Sequence, residues 1–192
     1  MNTYETIVSR RTIRKFKPEE IKISILKKLV NAGRLAPSGA NLQPLEYVVI
    51  TDRDIRKKIF ASISWASYIE PDGNPRAGEE PTAYIIILVN TKINSSPCED
   101  IGASAENITL AALEWGIGCC WIGSFNKKNL KDILQLPEHF SLALILSLGY
   151  PSESPICEDI KTGANIRYYK DSEGILHVPK RKLSDIIHLN CF

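Results

Sequence analysis

Apolar residues recur along this chain with two different periods, and the changes between them predict a succession of helices and strands. Residues 3–9 read as a short helix capped by Asn2 or Thr3. Ile25, Leu26, Leu29, Val30 and Leu35 stand at helical spacing behind Pro18, Glu19 and Glu20, whose proline and acids suit a first turn, so a helix is expected to open at 18 and bury that stripe. The run 45–51 is strand-like, and Asp52 is placed to cap a helix with Ile55, Ile59, Phe60 and Ile63 on one face. Residues 83–90 are apolar on both faces, which predicts a central strand. The longest helix is expected over 100–115, with Ile101, Ala105, Ile108, Ala112 and Trp115 in register and Gly116 as its stop. Its small residues, Gly102, Ala103, Ser104, Ala105, Ala111 and Ala112, would let a second helix approach closely, either inside the fold or at a dimer seam. A buried strand ending in a Gly-Ser turn follows at 116–125, then a short helix over 126–134 capped by Asn126, then a strand over 140–148. The last fifth reads as irregular until 174–182, with a short helical pattern over 183–189.

Composition narrows the picture. At 192 residues with 44% hydrophobic and 24% charged content, the chain is expected to form one domain spanning 1–192. A net charge of +2 argues against nucleic acid as a partner. The five cysteines are odd in number and lack CxxC spacing, which points to reduced thiols and a cytoplasmic location. The longest apolar runs are strand-length, so neither a signal peptide nor a membrane span is expected.

Three stretches carry candidate chemistry. The loop Ala36-Pro37-Ser38-Gly39-Ala40-Asn41-Leu42-Gln43-Pro44 combines turn formers with uncharged hydrogen-bonding groups; Pro44 is expected to push Gln43 towards extended geometry before the first strand. Read alone, it is more simply an ordinary helix-to-strand connection. The run 10–17 places five cations in eight residues. If the first helix continues through it, Arg10 and Arg14 share a face and could grip a phosphate, while Ile13 and Phe16 anchor the other side; a solvated basic turn is the plainer alternative. A second basic cluster, Lys180-Arg181-Lys182, lies near the other end. Two such clusters without a general charge excess are best explained by convergence on one anion. The glycines of 116–123 do not make GxGxxG, since Trp121 interrupts them and they follow a helix rather than a strand. Between these stretches, 64–81 carries Trp65 and Tyr68 among prolines and glycines, the composition of a lid or surface insert. HExxH, GxSxG, P-loop and metal-spaced Cys/His motifs are all missing from the sequence.

Arg10-Arg11-Thr12-Ile13-Arg14, Pro37-Ser38-Gly39-Ala40-Asn41-Leu42-Gln43-Pro44, Gly116-Ile117-Gly118 with Trp121-Ile122-Gly123, Leu148-Gly149-Tyr150-Pro151 and Pro179-Lys180-Arg181-Lys182-Leu183 together resemble the successive blocks of the FMN-dependent nitroreductase family. No single block is diagnostic; their order and spacing over nearly the whole chain carry the likeness. The resemblance implies an α+β, three-layer α/β/α fold with a central mixed, mainly antiparallel sheet. It also implies an intertwined homodimer with FMN at each subunit interface. By position, Arg10, Arg11, Thr12, Arg14 and either Lys180 or Arg181 would take the phosphate, ribityl and N1/C2 region, with Arg14 the cation near N1/C2. Pro37, Ser38, Gly39 and Asn41 would come from the partner subunit, and backbone amides around Ile122, Gly123 and Ser124 would face N5 and O4.

The chain departs from the family pattern in two places. Leu45 follows Pro44 where an aromatic is usual, and Gly123 stands where larger members carry an acid. The implied activity is a ping-pong oxidoreductase in which NADH or NADPH reduces the flavin and a small nitroaromatic, quinone or related acceptor reoxidises it; the flavin, not a side chain, carries the chemistry. Flavin fragmentation, reductive dehalogenation and a non-catalytic flavin-binding module remain as alternatives. Cys119 and Cys120 are expected to pack the core, and His177 to be structural.

Overall fold

The computed structural model describes residues 2–192. Helix α1 (Thr3–Ser9) is closed at its start by a capping box, in which the Asn2 side chain accepts the Glu5 amide and the Glu5 carboxylate accepts the Asn2 amide. The chain then leaves helical geometry at Arg10, so the run 10–17 is extended rather than a continuation of α1. Thr12 makes a parallel bridge to Cys119 and Phe16 an antiparallel one to Pro151. The side chains of Arg10, Thr12 and Arg14 therefore follow a two-residue repeat instead of a helical face.

Helix α2 (Ile23–Arg34) begins five residues later than expected, with Lys22 at its cap and no side-chain cap bond. Pro18, Glu19 and Glu20 precede it in non-helical backbone, where Glu20 pairs with Arg56 at 2.7 Å. Leu26 and Leu29 are fully buried and Ile25 and Val30 pack beside them, but Leu35, at the C-cap, is 63% exposed because the helix ends before its turn reaches the core. The next elements are β1 (Leu45–Ile50), α3 (Arg53–Phe60), β2 (Ala83–Asn90), α4 (Cys98–Glu114), β3 (Gly118–Ile122), α5 (Lys127–Leu134) and β4 (Phe140–Gly149). Asp52 and Asn126 cap α3 and α5 through their side chains. Ile63 lies beyond α3, bridging to Phe125.

The four strands form one antiparallel sheet in the order β1-β2-β4-β3, with β2 buried along nearly its full length. Alternate residues of β2 feed two cores. Ile85 and Ile87 join Leu26, Leu29, Ala105 and Ile108 on the α2/α4 face, while Tyr84, Ile86 and Leu88 join Ile59 and Leu130 on the α3/α5 face. This is the three-layer arrangement that the resemblance implied. The small residues of α4 are used as anticipated: a Cβ on Gly33 of α2 would lie 2.8 Å from the Ile108 side chain and 2.9 Å from the Ser104 hydroxyl.

Residues after Gly149 hold more order than their pattern indicates. Strands β5 (Ile156–Ile160), β6 (Tyr169–Lys170) and β7 (Leu176–Arg181) form a second sheet in the order β5-β7-β6, with β5 parallel and β6 antiparallel to β7. The stretch expected to be helical after 182 has one 3-10 turn, Leu183–Asp185. The insert 64–81 contains a single 3-10 turn, Ser67–Ile69; Trp65 packs on Phe60 with ring centroids 5.7 Å apart and pins it to the core.

Candidate functional site

The extended run 10–16 is fixed by close approach to the sheet. Gly118 and Gly149 face each other across β3 and β4. A Cβ on Gly118 would meet the Ile13 side chain at 2.7 Å, and one on Gly149 would meet the Phe16 ring at 2.7 Å. Two facing glycines thus open a trough that receives Ile13 and Phe16, both buried. Ile13 donates its amide to the Cys119 carbonyl at 3.0 Å, and the Glu153 carboxylate accepts the backbone amides of Arg14 and Lys15. The consequence is that Arg10, Thr12 and Arg14 are laid along the edge of β3, half-buried, in line with the strand that ends at Ile122 and leads into Gly123 and Ser124. Gly123 and Ser124 are exposed, and a side chain built on Gly123 would meet nothing within 4 Å.

The three arginines of that run have different neighbours. The Arg10 Nε is 3.3 Å from the Glu106 carboxylate on α4. Arg11 turns its Nη1 back to the Val8 and Arg10 carbonyls, so its guanidinium serves the local backbone. The Arg14 guanidinium lies 5.2 Å from the centre of the Tyr168 ring. Tyr168 in turn meets Tyr68 at 5.0 Å, and Arg167 covers the Tyr68 ring at 5.2 Å, so the insert and the tail meet over Arg14.

The 37–43 loop sits elsewhere. Buried Asp100, in the first turn of α4, accepts hydrogen bonds from the Ser38 hydroxyl and, at 3.0 Å, from the Gly39 amide; Ser38 Oγ then accepts the Gln43 amide at 2.9 Å. Ala40, Asn41 and Gln43 have φ of +48°, +55° and +53°. Gln43 is therefore not extended as expected before Pro44, because the Ser38 hydroxyl draws its amide inward. Three non-glycine residues in the left-handed region are costly and mark the loop as a shaped feature. Beside it lies a small cavity of about 230 Å³ lined in part by Ser38, Gln43, Tyr47, Asp100 and Ser104. Tyr47 shares a 2.8 Å hydrogen bond with Ser104, and burial pushes its phenol above the ordinary value. Among the described residues no hydrogen bond or ion pair joins 37–41 to 10–14 within the chain.

Lys180 and Arg181 end β7 and are exposed; Arg181 Nη2 donates to the Asp185 carbonyl at 3.2 Å. Neither makes a hydrogen bond or ion pair with the 10–14 run. Within one chain the expected site residues thus fall into three groups: the arginine run with the 122–124 turn, the 37–43 loop, and the end of β7. The sequence reading missed Asp100, Glu106, Glu153 and Tyr168, which hold these groups in place. Asp100 had a local signal in its first-turn position on α4; the others had none.

The cysteines and His177 match their expected roles. Cys119 and Cys120 are buried, which pushes their thiols up to about 12 and about 11, while Cys98, Cys157 and Cys191 are exposed. His177 stands between two carboxylates, Nε2 3.0 Å from Asp171 and Nδ1 3.2 Å from Glu158, with its ring stacked on Tyr169 at 4.8 Å. These partners raise its pKa, Asp171 most. No helix among the described residues is long and apolar enough to cross a membrane.

Comparison with known proteins assigns the class. Residues 7–150 match the model of the Nitroreductase family, and the chain belongs to that family. It is 32% identical over 155 residues to an Archaeoglobus fulgidus protein assigned as an NADH dehydrogenase/NAD(P)H nitroreductase, covering 77% of this chain and 84% of the relative. An FMN-dependent nitroreductase of Clostridium difficile superposes with a TM-score of 0.69 at 25% identity, covering 97% of this chain and 98% of that one. A Parabacteroides distasonis structure, assigned as an NADH dehydrogenase/NAD(P)H nitroreductase, shares the fold with a TM-score of 0.73 at 24% identity over 100% of this chain and 99% of its own.

Proposed function

We propose that the chain is one nitroreductase-like unit and works as a cytoplasmic homodimeric oxidoreductase. It would carry FMN at each subunit interface and pass hydride by a ping-pong route from NADH or NADPH to a nitroaromatic, quinone or related small acceptor. The observation that carries this reading is the Thr12 bridge to Cys119, which sets Arg10, Thr12 and Arg14 beside β3, the strand that leads into Gly123 and Ser124. A phosphate needs cations and hydroxyl donors, a reduced flavin needs positive charge near N1/C2, and a flat ring needs an open backbone turn; that edge offers all three.

Bound FMN would supply the two-electron chemistry at its N5. The chain's own groups have the remaining tasks. Arg10 and the Thr12 hydroxyl would bind the phosphate and ribityl end, Arg14 would stabilise negative charge near N1/C2, and the amides around Ile122, Gly123 and Ser124 would orient the ring edge. Arg11 would contribute through its backbone, since its side chain is engaged with carbonyl oxygens. The Tyr68–Tyr168 contact over Arg14 would exclude water on that side.

The dimer is supported by the separation of the groups. Pro37, Ser38, Gly39 and Asn41 form a shaped loop with no bond to the arginine run of their own chain, as expected if they serve the partner's flavin. Lys180 or Arg181 would complete the phosphate clamp from the exposed end of β7.

Anaerobic titration of the purified, FMN-saturated protein with NADH and with NADPH tests the enzyme reading. Stoichiometric bleaching of the flavin absorbance, reversed by a nitroaromatic or quinone, is the expected result; a flavin that stays oxidised with both donors rejects it. The shared site is tested by mixing an Arg10→Ala chain with an Asn41→Ala chain. One site of the heterodimer should then bind FMN with wild-type affinity, and absence of that class rejects the interface site.

A further inference from the structure

A cavity of about 580 Å³ lies at one end of the main sheet, walled by α3, by the residues leading into β2 and by the segment joining Phe16 to α2. It shares no residue with the arginine run, the 37–43 loop, the 122–124 turn or the end of β7. Its volume is in the range of small-molecule pockets.

Its chemistry is uneven in a way that specifies a ligand. Arg53, Arg56, Lys57 and Phe60 recur on α3 at three- and four-residue spacing and all line the space. Arg56 is consumed by the fold: its guanidinium donates to the Thr51 carbonyl at 3.0 Å, the Pro81 carbonyl at 3.3 Å and the Glu20 carboxylate at 2.7 Å. Glu80, the other acid of the wall, accepts the Gly78 amide at 2.7 Å. Arg53 has no hydrogen bond or ion pair among the described residues, and Lys57 has only Asp54, at 4.0 Å in an exposed pair. Thr82, at the entry to β2, is 3% exposed and its hydroxyl has no accessible surface, so it adds bulk to the wall but no donor.

Three cations against two acids leave the wall at +1, with both acids already holding donors. That balance suits a monoanion; a dianionic phosphate would be under-neutralised and would face Glu80. The Phe60 ring, Pro18 and Pro81 supply a flat apolar wall. We infer that this cavity binds a small aromatic carboxylate, its carboxylate held by Arg53 and Lys57 and its ring against Phe60.

The test is calorimetric titration of the FMN-saturated protein with naphthoate, with neutral naphthamide and with inorganic phosphate, alongside a crystal soaked in naphthoate. Naphthoate should bind saturably, and Arg53→Gln, an exposed substitution that leaves the flavin spectrum unchanged, should weaken it roughly tenfold or more, as loss of a charge-assisted hydrogen bond does. Lys57→Gln should weaken it as well, naphthamide should bind less tightly than naphthoate, and the soaked crystal should show the ring beside Phe60. Equal affinity in Arg53→Gln, phosphate binding as tightly as naphthoate, or a naphthoate ring seen only against the flavin would each overturn the assignment.

Discussion

The two sheets of this molecule are held by different forces. In the β1-β2-β4-β3 sheet, β2 and the inner half of β4 are buried on both faces, and the cohesion is hydrophobic packing between helix layers. In the β5-β7-β6 sheet only Leu176 and Pro179 are buried, and the strands are tied by Glu158, Asp171 and Tyr169 around His177, with Asp185 accepting the Thr162 hydroxyl at 2.7 Å. A sheet can therefore be specified by continuous apolar burial or by a few charged contacts, and the two kinds should fail under different conditions.

Four measurements can break or sharpen that contrast. The largest effect is expected in the main sheet: Ile86→Ala removes a fully buried side chain and should lower unfolding stability by about 2–5 kcal/mol in denaturant titration. A change under about 1 kcal/mol would show that something other than apolar packing holds that sheet together. Next, Arg10→Ala should weaken FMN binding by about 1.5–3 kcal/mol, read from the flavin dissociation constant, with the main sheet intact. An unchanged constant removes Arg10 from the site.

The third effect belongs to the second sheet and is a pH window. His177 has a raised pKa, so its contribution is complete below the ordinary value of 6.5 and is lost as pH rises through the raised one. Asp171 and Asp185 have lowered values, the first mainly from its bond to His177 and the second from Thr162, so their contributions hold above 3.8 and are lost as pH falls through the lowered values. Limited proteolysis should open the residues after 152 at alkaline and at strongly acidic pH before the main sheet melts. His177→Gln should remove the alkaline limb, and simultaneous loss of both sheets at every pH would erase the distinction. The smallest effect is the exposed pair Arg76–Asp72, at 3.7 Å: Arg76→Ala should change stability by less than about 0.5 kcal/mol.

The same contrast explains what could be read in advance. Ile85 to Leu88 declare a buried strand without knowledge of their partners, and Asp52 and Asn126 declare their helices, because the causes are local. The start of α2 was misplaced since Pro18, Glu19 and Glu20 carry a first-turn signature, yet Glu20 is drawn to Arg56, 36 residues away. Strand β5 escaped notice because Glu158 pairs with His177 through charge, which has no two-residue apolar period. At the candidate site the arginines and the loop were legible through family resemblance. Their holders were not, since Asp100 reaches Ser38 across 62 residues and Glu153 reaches Arg14 across 139. The arginine run lies beside β3 and is not a continuation of α1, because a glycine trough and not a helical face sets its direction.

The division of the cysteines has a practical use. At neutral pH the buried thiols of Cys119 and Cys120 offer almost no thiolate to an alkylating dye, whereas Cys98 opens α4 and Cys157 lies exposed on β5. After Cys191→Ser, a donor and an acceptor fluorophore can be placed on those two positions without engineering a new attachment point. The native thiols thus make a ruler between α4 and the tail, able to record their separation in real time as flavin is added or withdrawn.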